Sequence, residues 1–233
     1  MNPLDIMLNR FRTESPGSPR LTWYGTDGAR IELSGKVLDN WVAKTSNFLT
    51  EEFDFGPDSV LRVALPAHWK SLCLVLGALG CGGTVSDQQP GDLLASSEPE
   101  QIGSATGPTI AVALGALALQ WEGELPAQAQ DYAAEVRMFA DAFERFSDPD
   151  QHQLALEFAD YSEQYARLPQ LTEELLGKIT AEPARICLNA EHGLAKVVRQ
   201  ALASWQSGGS VVLAEQAELI TERMLSMEGA VQL

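Results

Sequence analysis

Apolar residues recur at helical spacing at Leu4, Met7, Leu8 and Phe11, which predicts a short amphipathic helix over residues 4–12. Pro16-Gly17-Ser18-Pro19 breaks it. Two extended runs, 21–24 and 29–33, flank Thr26-Asp27-Gly28 and predict a hairpin. Ser34 is a candidate N-cap for a helix burying Val37, Leu38, Trp41, Val42, Phe48 and Leu49 on one face. Residues 60–65 form an apolar strand. The helix predicted over 67–80 is apolar almost all round, the mark of a deeply buried helix. Gly82-Gly83 end it before a short strand over 84–86.

The middle of the chain is less regular. Residues 87–108 mix glycine, proline, serine and acids, and read as the most mobile internal segment. A strand follows over 109–114, then a weakly patterned helix within 128–143. Residues 147–169 read as a loose linker with one short helix, and Leu171, Leu175 and Ile179 mark a further helix. Regularity returns with a strand over 185–188 and a helix over 192–206, whose Leu194, Val197, Val198, Ala201, Leu202 and Trp205 share one face. Gly208-Gly209 stop that helix. A strand over 210–214, a helix over 215–226 and a short last strand follow. Two stretches, 60–85 and 185–213, repeat one order: strand, helix, Gly-Gly, strand. Each is a βαβ unit, which implies parallel strands and an α/β fold. Pattern alone favours placing both units in one sheet.

The chain of 233 residues, 45% hydrophobic and 21% charged, is long enough for one large domain or two lobes. A net charge of −16 argues against nucleic-acid phosphates and against an anionic membrane surface. The first residues lack the basic and apolar regions of a signal peptide, and the apolar run from Leu72 to Cys81 is too short to span a bilayer. Cys73, Cys81 and Cys187 sit in apolar stretches without metal-site or redox spacing, and read as reduced core residues of a cytoplasmic protein.

Certain segments resemble the opening of adenylate-forming ligases, the acyl-CoA synthetase superfamily. Leu21-Thr22-Trp23-Tyr24 leads into a helix, and Arg62-Val63-Ala64-Leu65-Pro66 leads into the apolar stretch ending at Gly83. These are similar to that family's "LTY" and "RVAVLLPN" strands and the helix ending "GAVVVP". His192-Gly193, the helix after it and Gly208-Gly209-Ser210-Val211-Val212-Leu213 resemble a later family stretch. Asp131-Tyr132-Ala133-Ala134-Glu135-Val136-Arg137 is similar to a segment of short bacterial relatives of these ligases. The resemblance implies two lobes: residues 1–54 and 168–233 form one, residues 55–150 the other, and 151–167 link them. It sets the two βαβ units in different sheets, with the first unit's strand beside 109–114.

The departures from the family bear on activity. Its ATP loop reads like TSGTTGxPKG and follows the Asp131-to-Arg137 segment. Here the one lookalike, Gly103-Ser104-Ala105-Thr106-Gly107-Pro108, precedes that segment and lacks the lysine. From Ser71 to Val136 there is no lysine or arginine, whereas a triphosphate needs cationic or metal neutralisation. The resemblance places the aromatic adenine-binding segment, ribose-binding aspartate and lysine-bearing lid beyond residue 233.

Neither a GxSxG elbow nor an HExxH pair occurs. Gly77 and Gly80 lie inside a helix, where close packing explains them better than phosphate binding. His192, with Gly193, follows a strand and opens a helix, the place where α/β folds gather ligands; the resemblance sets this position near an acyl pocket. His68 holds the matching place in the first unit. These three residues are the candidate ligand-binding positions, with no catalytic or metal-ligating residue and no cofactor expected. The functional expectation is a non-catalytic or degenerate acyl-CoA synthetase-like module that binds a small apolar or acyl ligand, a protein partner or a second copy of itself. The alternatives are a ligase subunit completed by a separate polypeptide, or an idle product of gene decay.

Overall fold

The computed structural model describes residues 3–88, 90–176 and 184–233. The chain opens with α1 (Pro3–Thr13), the hairpin β1 (Pro19–Tyr24) and β2 (Arg30–Ser34), and α2 (Gly35–Phe53). Next come β3 (Val60–Ala64), α3 (Trp69–Cys81), β4 (Thr84–Ser86), β5 (Leu93–Ser96), α4 (Pro99–Ser104), β6 (Thr109–Ala111), β7 (Ala129–Asp131) and α5 (Tyr132–Glu135). The remainder is β8 (Leu154–Phe158), β9 (Tyr161–Gln164), α6 (Leu171–Leu176), β10 (Arg185–Asn189), α7 (Leu194–Gln206), β11 (Ser210–Ala214), α8 (Glu222–Glu228) and β12 (Val231–Gln232).

These strands make two sheets, so the fold is α/β with helices packed on parallel-rich sheets. The first has five strands in the order β12-β10-β11-β1-β2, and the second seven, β7-β6-β5-β3-β4-β8-β9. The two βαβ units therefore lie in different sheets, as the family resemblance implied and pattern alone did not. Val63 belongs to the second sheet and Ile186 to the first. Each sheet is parallel except where a hairpin closes an edge: β1–β2 in one, β8–β9 in the other.

Several local expectations hold. Ser34 caps α2 by accepting from the Val37 N–H. Every residue of α3 is buried, because it packs between α2 and the sheets. Gly77 lets α3 approach α2 closely, since a Cβ there would clash with Thr45 Cγ2. Along α7, Val197, Val198, Ala201, Leu202 and Trp205 face the core, and the Trp205 indole donates to Arg20 O at 2.8 Å. All three cysteines are free and buried.

Others are corrected. Val37 is 40% exposed, so α2 turns its buried face toward Thr45 and Ser46 instead. Within 87–108 lies β5, paired on both sides by β3 and β6, with Leu93 and Ala95 buried; it separates β3 from the strand at 109–111. A single-sequence pattern sees only the turn-forming residues around β5, whereas two flanking strands satisfy its backbone. The expected helix within 128–143 is reduced to α5 and a turn of 3-10 helix, after Ala129–Asp131 pairs as a strand. The helix predicted over 215–226 is α8, preceded by a 3-10 turn at Ala217–Leu219. In place of the expected linker, β8 and β9 form a hairpin that joins the second sheet through β4. Ile179 lies outside the described residues.

Candidate functional site

Ligands in open α/β sheets gather beyond the carboxyl ends of the strands. In the second sheet those ends are Ala64 of β3, Ser86 of β4 and Phe158 of β8. They open onto a cleft of about 560 Å³ whose far wall is the start of α7, borne by the other sheet. Val63, Leu65, Phe158 and Leu194 supply apolar wall, and Asp87, Glu98, Asp160 and His192 the charged or polar groups. The lining includes neither lysine nor arginine.

The walls are fixed by hydrogen bonds. Between β8 and β9 the chain turns through Ala159 and Asp160, and the Ala159 N–H donates to Asp87 Oδ1 at 3.0 Å. The Tyr161 hydroxyl donates to Ala195 O at 2.7 Å, tying the hairpin to the first turn of α7. Burial pushes that phenol above its ordinary range. Arg199 lies over the Tyr161 ring at 5.2 Å and reaches the buried Glu163 carboxylate at 3.5 Å. Glu163 is also met by Arg167 at 3.4 Å. Through Arg199 this buried carboxylate ties the β8–β9 hairpin to α7.

His192 and Gly193 line this cleft, and His192 is exposed. Gly193 precedes α7 with φ of 86°, a conformation that favours glycine. The turn before it is held by Asn189, whose side chain accepts from the Glu191 N–H at 3.0 Å. Hydrogen bonds from the Ala217 N–H and the Asn189 side chain keep Glu191 below its ordinary range.

His68 is not with them. It is 4% exposed, caps α3 by accepting from the Lys70 N–H at Nδ1, 3.2 Å away, and packs edge-on to Trp23 of the first sheet at 4.6 Å. Burial, with the neighbouring Lys70 charge, lowers its pKa to about 3, so the imidazole is neutral. The parallel drawn between the two histidines stops at their places on the chain.

Asp160, Phe158 and Tyr161 were missed because the hairpin read as a linker; the alternation of Leu154, Leu156 and Phe158 was the available signal. The Gly103-to-Pro108 turn joins α4 to β6 and borders a separate hollow that Arg62, from outside the stretch without lysine or arginine, also lines. Asp92 shares that hollow, and the Ser104 hydroxyl donates to Glu100 O at 2.7 Å in its own helix. A larger hollow, about 660 Å³, lies on the α8 side of the first sheet beside Arg20, Arg30, Arg185 and Glu228. Glu228 already accepts from Tyr24, Arg30 and Arg185, which outweigh its burial and hold it at about pKa 2; this is an ion-pair network rather than an open anion site. Among the described residues no group of three His, Cys, Asp or Glu side chains could hold a metal ion, and no helix is long and apolar enough to cross a membrane.

This architecture is that of the N-terminal portion of adenylate-forming enzymes. An acyl-CoA synthetase of Brucella canis superposes with a TM-score of 0.79 at 12% identity, covering 99% of this chain and 46% of that one. Acetoacetyl-CoA synthetase of Streptomyces lividans gives 0.72 at 12% identity, covering 93% and 38%. Coronafacic acid ligase of Pectobacterium brasiliense gives 0.69 at 10%, covering 97% and 47%. At these identities the likeness establishes the fold. In sequence, the chain is 36% identical over 147 residues to a TIGR03089 family protein of Mycobacterium tuberculosis, a match spanning 59% of each. No family model matches the chain. The chain thus spans less than two thirds of the length of these relatives.

Proposed function

We propose that this chain is a ligand-binding module on an acyl-CoA synthetase-like fold, and that it does not carry out ATP-dependent adenylation. The observation that carries the reading is the character of the cleft: Asp87, Glu98 and Asp160 line it without a lysine or arginine. A triphosphate placed there meets like charge at short range and no lysine or arginine to neutralise it. The stretch after Asp131-to-Arg137, where the resemblance expects the nucleotide loop, supports the same reading. From Met138 to Leu176 it contains neither glycine nor lysine, and its strands close in the tight β8–β9 turn.

The retained surface suits a different occupant. Val63, Leu65, Phe158 and Leu194 offer contact to an acyl or other apolar group, with His192 and Gly193 at its polar end. The carboxylates favour a neutral head over a free carboxylate or phosphate. In this reading residues 1–54 with 168–233, and residues 55–150, act as two lobes about the cleft, in a cytoplasmic protein. Native mass spectrometry of protein purified gently from its own host tests it. The expected spectrum carries a retained small, non-nucleotide molecule that His192→Trp, a bulky change at an exposed cleft position, displaces. A bound nucleotide, or a retained molecule indifferent to His192→Trp, would contradict it.

A second reading is a ligase subunit completed by another polypeptide. It is favoured by the solved enzymes, of which this chain covers 46% and 38% in the first two cases. Co-purification of a stoichiometric second chain that confers MgATP binding would support it.

A further inference from the structure

A small apolar hollow, about 100 Å³, lies apart from the cleft among Trp41 of α2, Trp69 of α3, Tyr132 and Ala133 of α5, and the connection from β6 to β7. That connection reads Val112-Ala113-Leu114-Gly115-Ala116-Leu117-Ala118-Leu119, an apolar run where surface chain is ordinarily polar. Leu117 and Leu119 line the hollow and are 76% and 62% exposed. Val37, one turn before Trp41 on α2, is 40% exposed, and Met138, next to the lining Arg137, is 84% exposed. Large apolar side chains gathered around a hollow mark an interaction surface, which single scattered ones do not.

The connection is fixed in this form. The Lys70 ammonium donates to Ala113 O at 2.6 Å and Gly115 O at 2.9 Å, and Arg137 Nη2 donates to Leu119 O at 2.8 Å. A surface ordered before its partner arrives loses less freedom on binding.

Charge selects the partner. The cations nearby are bonded to backbone carbonyls: Lys70 and Arg137 as above, and Lys44 to Phe139 O. Against them stand Glu122 and Glu124, both exposed, just beyond the connection. Asp131 and Glu135 lie on the α5 side, and Gln130 there donates to Glu52 Oε2 of α2 at 3.2 Å. Two copies of a chain of net charge −16 would bring like charges together across such a face, whereas a basic partner would neutralise it.

We propose that this face docks a basic amphipathic helix of a partner protein, which seats one aliphatic side chain in the hollow and lays its apolar face over Leu117, Leu119 and Met138. Its lysines or arginines meet Glu122, Glu124 and Glu135. A cavity of roughly 150 Å³ takes benzene, so this smaller one matches a single branched aliphatic side chain. Anchors at i, i+3, i+4 and i+7 of a helix are what a groove of this kind receives. The surface is independent of the cleft and of the function assigned to it.

The probe is a fluorescein-labelled synthetic helix with leucines on one face and lysines on the other, titrated with the full chain at physiological salt and read by anisotropy. The expected result is saturable binding, at least about tenfold weaker for a scrambled peptide of the same composition and for one with glutamate in place of lysine. Leu119→Ser, at an exposed position, and Ala118→Leu, which fills the hollow, should each weaken binding at least about fivefold, as loss of an anchor does. Urea melts identify the folded variants. Glu122→Gln combined with Glu124→Gln should weaken binding several-fold and flatten its salt dependence. Equal binding of the scrambled peptide would reduce the contact to net charge and overturn the proposal, as would an unchanged affinity in folded Leu119→Ser. A dimer of the parent chain that Leu119→Ser dissociates in sedimentation velocity would give the face to a second copy. Binding to phosphatidylcholine vesicles lost in Leu119→Ser would give it to a membrane; either result overturns the proposal.

Discussion

The two βαβ units begin with the same local grammar and end in opposite environments. In the first, the strand–helix junction puts His68 beneath Trp23, and the helix beyond it is buried on every side. In the second, the junction puts His192 at the mouth of a cleft, and α7 buries one face only. The difference comes from what lies across from each junction. The β1 strand of the other sheet covers the first, while the carboxyl ends of β3 and β8 stop short of the second and leave a space. A shared motif therefore fixes the fold of each unit, and a residue far away in sequence decides whether its junction can meet a ligand.

Four substitutions probe this contrast. Trp205→Ala, in the one-faced helix α7, should cost about 3–5 kcal/mol, because it removes a fully buried indole and its hydrogen bond; urea melts giving less than about 1 kcal/mol would show the helix face misassigned. Gly77→Val, in the all-round buried α3, should cost about 1–3 kcal/mol by forcing α3 from α2 at Thr45. A neutral melt would mean that the helices can separate freely there.

His68→Asn, which keeps a capping side chain, should act through pH. The folded imidazole stays neutral down to about pH 3, whereas an unfolded one binds a proton near 6.5. Stability is therefore full above about pH 6.5 and declines as pH falls toward 3. The variant should flatten the upper part of that decline, between roughly pH 6.5 and 5; an unchanged slope would contradict the neutral buried histidine. His192→Ala, at an exposed position, should change stability by less than about 0.5 kcal/mol. A larger loss would place this histidine in the packing rather than at the cleft surface.

Legibility in the sequence followed the same divide. Helix α7 and strands β10 and β11 were readable because one periodic face meets one core, and Ser34 announced its own cap. Strands β5, β8 and β9 were not, since β5 is short and set among turn-forming residues, and the hairpin sits in a polar stretch. Their pairing is supplied by β3, β6 and β4, which no local window contains. His192 lines the cleft at the end of a strand that the pattern did show, while Phe158 and Asp160 were hidden with the hairpin. The burial of His68 rests on Trp23, forty-five residues earlier, and no periodicity near His68 reports it.

Isothermal calorimetry with MgATP tests most directly whether the cleft is unsuited to a triphosphate. The acidic lining predicts no binding tighter than about 100 μM, equivalent to roughly −5.5 kcal/mol. A saturable isotherm with a Kd below that value, lost on His192→Trp, would place nucleotide in the cleft and contradict the account.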